Sequence, residues 1–257
     1  MSPQPSRTST TTPAPLAAPA HRRVLAHGLY EARLTLRNGE QLLVSLILPL
    51  LVLIGLHRAH SITEIIPDIQ TVAPGVLALA VMASAFTGAG IATGFERQYR
   101  VLAFLSTTPL GSAGLILGKA LAVLCVILVQ VLVLGGTALA LGWAPKPSGL
   151  LWLVCGLVLG AAAFTALGLL IAGTVRAEAT LAVTNVTWVL MGAAGGAVIP
   201  LNYEGAGALL RGLPSAALGE ALREPALTGR LPALPLLILT AWAVSAVLLA
   251  RRFFRWT

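Results

Sequence analysis

The feature that most limits the fold is the recurrence of apolar runs long enough to cross a bilayer. A hydrocarbon core of about 30 Å takes about 20 residues of helix, and only helices or closed barrels satisfy their own backbone polar groups inside it. The stretch "LLVSLILPLLVLIGL", Leu42 to Leu56, is the first such run. Others extend from about Val72 to Gly94, from Leu115 or Ala120 to Leu141, and from Leu150 to Val175. The last two run from about Ala179 to Ile199 and from Leu231 to Ala250. The pattern predicts an all-α, polytopic membrane protein with six transmembrane helices. Pro49 removes one backbone donor from the first span and is expected to kink it. With 57% hydrophobic and 10% charged residues in a chain of 257, there is too little charge to cover a soluble globule of this size.

Orientation follows from Arg and Lys, which resist translocation. Arg7, Arg22, Arg23, Arg33 and Arg37 precede span one; Arg97, Arg100 and Lys119 follow span two; Arg176 follows span four; Arg251, Arg252 and Arg255 close the chain. The opposite side has Arg58, Lys146, Arg211, Arg223 and Arg230, offset by Glu64, Asp68, Glu204, Glu220 and Glu224. Both termini are therefore expected in the cytoplasm. The net charge of +8 does not point to nucleic acid, because the basic residues sit at the ends of apolar runs and are not gathered with aromatics on one wet surface.

Residues 1–24, "MSPQPSRTSTTTPAPLAAPAHRRV", are expected to be a disordered cytoplasmic tail ahead of a single transmembrane domain, 25–257. Leu25, Leu29, Ala32 and Leu36 then repeat at helical spacing while Glu31, Arg33 and Arg37 point elsewhere, which predicts an interfacial amphipathic helix. Between spans five and six, residues 201–230 are expected to form short helices at or dipping into the outer interface.

Several motifs resolve to packing. "GLILGKA" lacks the first Gly and the terminal hydroxyl of a phosphate-binding loop, having Ala113 and Ala120 there. "GAGIATG" places its third Gly one residue late for a dinucleotide fingerprint and lies at the end of a span. Gly90/Gly94, Gly156/Gly160 and Gly192/Gly196 match the small-residue spacing that brings membrane helices close. Cys125 and Cys155 lie in apolar runs and read as small hydrophobes. His57 and His60 lack further metal ligands nearby. No acid sits mid-span to carry protons. Gln130, Asn185 and Thr187 are the polar candidates inside spans, for interhelical hydrogen bonds or for a translocation path.

The stretch "GFERQYRVLAFLSTTPLGSAGLILGKALAVL" is different. Phe95, Tyr99 and Leu102 share one helical face and Glu96, Arg97 and Arg100 another, with Glu96 and Arg100 an i,i+4 pair. Thr108-Pro109 predicts an extended turn, and Lys119 is placed to snorkel from the foot of span three. By charge alone this is a positive-inside loop.

This stretch resembles the segment linking spans two and three in ABC-2-type permeases, the membrane subunits of ATP-driven exporters including daunorubicin-resistance-type systems. Glu96, Arg97, Leu105, Thr108, Pro109, Leu110, Gly118 and Lys119 carry the match, and the span architecture agrees from about Leu25 onward. The chain departs from the family at Tyr99-Arg100, where a Gly often follows the charged pair. The resemblance implies a cytoplasmic coupling helix whose Glu96, Arg97, Arg100, Thr108, Pro109 and Lys119, bordered by Arg33 and Arg37, meet a separate ABC ATPase. It further implies no cofactor on this chain, ATP and Mg on the ATPase, a second permease as homodimer or heterodimer partner, and a bacterial plasma membrane. From the residues alone, an ATP-independent carrier or channel and a non-transporting membrane scaffold remain alternatives.

Overall fold

The computed structural model describes residues 18–63, 65–201 and 205–253. Residues 1–17 of the expected tail, Arg7 among them, and Glu64, Glu204 and Arg255 lie outside these. Helix α1 (Ala20–Arg37) begins within the expected tail and leads into α2 (Gly39–His60) and α3 (Ile69–Gln98). A short α4 (Val101–Ser106) precedes α5, which opens at Gly111 and closes at Ala140. The chain continues through α6 (Leu150–Thr174), α7 (Ala177–Ala194), α8 (Pro214–Thr228) and α9 (Ala233–Phe253). No strand occurs among the described residues.

Among the described residues, five helices are long and apolar enough to cross a membrane: Gly39–His60, Ile69–Gln98, Gly114–Ala140, Pro147–Thr174 and Ala233–Ala250. The fifth expected span corresponds to α7, whose 18 residues include Glu178, Thr180, Thr184, Asn185 and Thr187, and which is not among those five. Three helices contain a π-helical turn: Leu43–Ile47 in α2, Ala83–Gly88 in α3 and Val131–Gly135 in α5. Pro49 follows the first of these, and the helix runs on through it to His60.

Helix α3 forms the centre. Its residues 72–88 are buried on every side, as befits a segment apolar all round its circumference. It packs against α8, α6, α7 and α2, with α5 completing the ring. Phe86 meets Phe164 of α6 edge to face at 6.1 Å between centroids. A Cβ at Gly168 of α6 would lie 2.5 Å from the Phe86 carbonyl oxygen, so the two backbones touch where only glycine fits.

The segment before α9 is drawn into the bundle. Helix α8 lies between α3, α6 and α9 with Ala217, Leu218, Ala221 and Leu222 buried. Its charge is neutralised internally: Arg223, 3% exposed, pairs with Glu220 at 2.5 Å. The same guanidinium donates to the carbonyls of Ala197 at 3.0 Å, Val198 at 3.2 Å and Thr71 at 3.4 Å. Satisfied donors let an arginine enter a core that an unpaired one would disrupt.

The two ends of the bundle are fixed by polar contacts. At one end Arg97, closing α3, donates to the Val175 carbonyl after α6, and Gln98 donates to Glu178 of α7 at 2.8 Å. At the other, Gln70 donates to the Gly142 carbonyl at 2.8 Å and accepts from the Ala144 amide at 2.9 Å, tying the start of α3 to the α5–α6 connection.

Candidate functional site

Helix α1 meets α5 through glycines. A Cβ at Gly28 would lie 2.9 Å from the Gly118 carbonyl oxygen, and one at Gly118 2.5 Å from the His27 ring. Gly28 and Ala32 thus form the packed face, while Leu25 and Leu29, expected with Ala32 on one stripe, are half-exposed. This rotation carries Glu31 inward, away from Arg33 and Arg37, which are exposed.

Glu31 meets Lys119 there. The Lys119 ammonium, on a residue 4% exposed, lies 2.7 Å from Glu96 Oε2 and 3.2 Å from both Glu31 oxygens. His27 Nε2 stands 3.1 Å from Glu31 Oε1. Lys119 therefore does not snorkel, as its position at a helix foot suggested. Two carboxylates from α1 and α3 draw it inward, and the three helices are joined through one ammonium. The cluster borders a cavity of about 40 Å³ that reaches Thr35 and Ser84, room enough for a water with polar partners.

The loop after α3 also differs from expectation. Glu96 and Arg97 occupy the last turn of α3, not a separate amphipathic helix, and Glu96 is paired with Lys119 instead of Arg100. The helix breaks at Arg100, whose φ of 59° and ψ of 18° lie in the left-handed region. That is the conformation glycine adopts most easily. Tyr99 is 71% exposed and Arg100 is exposed, so the break presents both outward. Downstream, the Thr108 hydroxyl donates to the Leu105 carbonyl at 2.6 Å, and Arg23 of α1 donates to the Pro109 carbonyl. The loop is thus anchored to α1 at its far side.

Deeper in the bundle, Gln130 is 2% exposed and donates to the Ser45 carbonyl at 2.6 Å and the Ser84 hydroxyl at 2.7 Å. Ser45 and Ser84 lie in the π turns of α2 and α3, and the π turn of α5 starts directly after Gln130. Pro49, four residues on from Ser45, has no N–H to give that carbonyl, which leaves the Ser45 oxygen open to a donor from another helix. At 1.5 Å per residue, this contact lies about 17 Å along α5 from Lys119. Asn185 and Thr187 are half-buried on α7, apart from both groups, while Thr184 bonds back to the Thr180 carbonyl at 2.7 Å.

Glu178 sits exposed in the first turn of α7. The backbone N–H there and the Gln98 amide hold its carboxyl below the ordinary carboxylate value. Sequence reasoning missed Glu31, His27 and Arg23. The spacing of Gly28 and Ala32, small residues one turn apart, marks the buried face and would have turned Glu31 toward it.

The site thus combines an exposed, left-handed break with a buried three-helix ionic joint beneath it. A search of curated proteins found no match. Residues 60–252 match the family described as ABC-2 family transporter protein, and with well over half of its length covered, this multi-pass membrane chain belongs to the ABC-2 transporter family, the permease components of ABC transporters.

Proposed function

We propose that the chain is the permease subunit of an exporter of the daunorubicin-resistance type, moving a lipophilic or amphipathic substrate across a bacterial plasma membrane. ATP and Mg are used by a separate ABC ATPase that docks on the outward-facing break at Tyr99 and Arg100, with Arg97, Thr108 and Pro109 shaping the loop behind it. Arg33 and Arg37, exposed on α1, border that contact. The observation that carries this reading is the Lys119 joint, which ties the end of α3 directly to α1 and α5. A push on the loop is passed to three helices at once, because a packed and ion-paired unit moves as one body.

In this reading the membrane is crossed six times and both termini are cytoplasmic. Helix α7 with the turn after it supplies the fifth crossing: Leu181, Val186 and Leu190 face outward, while Thr184 is buried and Trp188 donates to the Leu79 carbonyl at 3.3 Å. Asn185 and Thr187 face a path shared with a second permease, a copy of this chain or a related one.

Pull-down from native membranes tests the assignment, and it should recover an ABC ATPase. A cysteine replacing Tyr99 should cross-link to that ATPase and resist labelling from outside the cell. Labelling from the exterior would place the break on the wrong side of the membrane and end the proposal.

A further inference from the structure

At the end of the bundle opposite Lys119, a cavity of about 320 Å³ opens between α8, the start of α9 and Arg211. Its volume is in the range of small-molecule sites. Apolar walls come from Leu231, Leu234 and Ile238, and acidic groups from Glu220 and Glu224. The two carboxylates differ. Glu220 is neutralised by Arg223, whose remaining donors are committed to backbone carbonyls. Glu224 is half-buried, and its carboxylate has no protein partner among the described residues. A carboxylate in a partly apolar cavity is stabilised by a cation that brings its own hydrogen-bond donors.

The mouth of the cavity indicates where that cation comes from. Leu231 and Leu234 are 46% and 48% exposed, and Leu237, one turn further along α9, is 67% exposed. The last two lie in the first turns of a membrane-length apolar segment, and exposed leucines at the end of such a segment suit contact with lipid near the head groups. Arg211 adds a positive group to the same lining.

We propose that this cavity holds the head group of an amine-bearing zwitterionic phospholipid. Its ammonium meets Glu224, its phosphate lies toward Arg211, and its acyl chains leave between Leu231 and Leu234. A primary ammonium donates charge-assisted hydrogen bonds to the carboxylate, a trimethylammonium brings charge without them, and a glycerol head group brings neither.

The full chain, reconstituted in phosphatidylcholine nanodiscs, can be probed with trace photoactivatable phosphatidylethanolamine, phosphatidylcholine or phosphatidylglycerol, and the cross-linked peptides read by mass spectrometry. Phosphatidylethanolamine should label residues 211–238 several-fold more than phosphatidylglycerol. Glu224→Gln should lower that labelling about tenfold, as expected for loss of a charged hydrogen bond. Leu234→Trp fills the mouth but keeps the carboxylate, and it should also abolish labelling, while both variants melt with the parent chain, so that the loss is not a folding defect. Equal labelling by all three lipids, or labelling unchanged in both variants, overturns the proposal. Displacement of the probe by an equal concentration of soluble phosphoethanolamine would assign the site to a free head group and refute the lipid. The assay needs no ATPase and no transport, so its failure leaves the permease reading untouched.

Discussion

Replacing Lys119 with Met removes the ammonium held between Glu31 and Glu96 and leaves an apolar chain of similar length. At an effective dielectric of about 20, charges 2.7 and 3.2 Å apart attract by about 6 and 5 kcal/mol. Repulsion between the two carboxylates, at most about 6 Å apart across one ammonium, returns roughly 3 kcal/mol. Desolvation of the ammonium takes back several more, so the net cost follows the measured range for breaking buried pairs, about 3–5 kcal/mol. The Glu31 and Glu96 side chains keep 17% and 23% exposure, which places the loss near the lower end, about 3 kcal/mol. For a chain of this size that is a drop in Tm of about 6–12 °C. The assay is thermal melting of the purified chain in detergent, repeated for Glu96→Gln and for the double variant. The double variant should recover about 2 kcal/mol relative to the sum of the singles. A shift for Lys119→Met below about 2 °C, or additivity within about 0.5 kcal/mol, would refute the view that this joint holds α1, α3 and α5 together.

Arg100→Gly separates backbone from side chain at the break. It should raise stability by up to about 1 kcal/mol by relieving the left-handed conformation, measured by melting, while cross-linking of the loop to an ATPase falls if the guanidinium makes the contact. Arg223→Met strips Glu220 of its partner and three carbonyls of their donor, with an expected cost of about 3–5 kcal/mol; a cysteine at Ala217, normally buried, should become reactive to thiol reagents. Gln130→Leu should cost about 1–3 kcal/mol by leaving the Ser45 carbonyl and the Ser84 hydroxyl without their shared donor, read as a lowered Tm with the helical circular dichroism unchanged. Because the Glu178 carboxyl is held below its ordinary value of 4.5, its contribution is complete above that value and is lost as pH falls through the lower folded value. Glu178→Gln should flatten the acid limb of a melting-versus-pH profile, and an unaltered limb would exclude the Glu178 carboxylate as its source.

What could be read from residues alone followed the distance over which each contact acts. The runs around Leu42–Leu56 and Leu150–Val175 announce membrane-length helices because bilayer thickness sets their length locally. The partners of Lys119 were not legible, since Glu31 is 88 residues away and lies on the same short helix as Arg33 and Arg37. The burial of α8 was hidden for a related reason: "GEALRE" looks wet until Arg223 is seen to spend its donors on carbonyls from two other segments. The i,i+4 geometry proposed for Glu96 and Arg100 failed because the helix ends at Gln98 and Arg100 itself takes the left-handed conformation, and a local helical pattern assumes no such break. Gln130 reads as a candidate for an interhelical hydrogen bond and Pro49 marks the Ser45 carbonyl as open, but the pairing of the two across 85 residues is not a local signal.

The enclosure of residues 72–88 has a mechanical corollary. A rod sheathed along its length by its own neighbours touches neither lipid nor a second subunit there, so outside forces reach it only at its tips. Sideways bending is blocked by the sheath, and the remaining freedoms are to slide or to twist about the long axis. The amides of that stretch should consequently be the last in the molecule to exchange with deuterium.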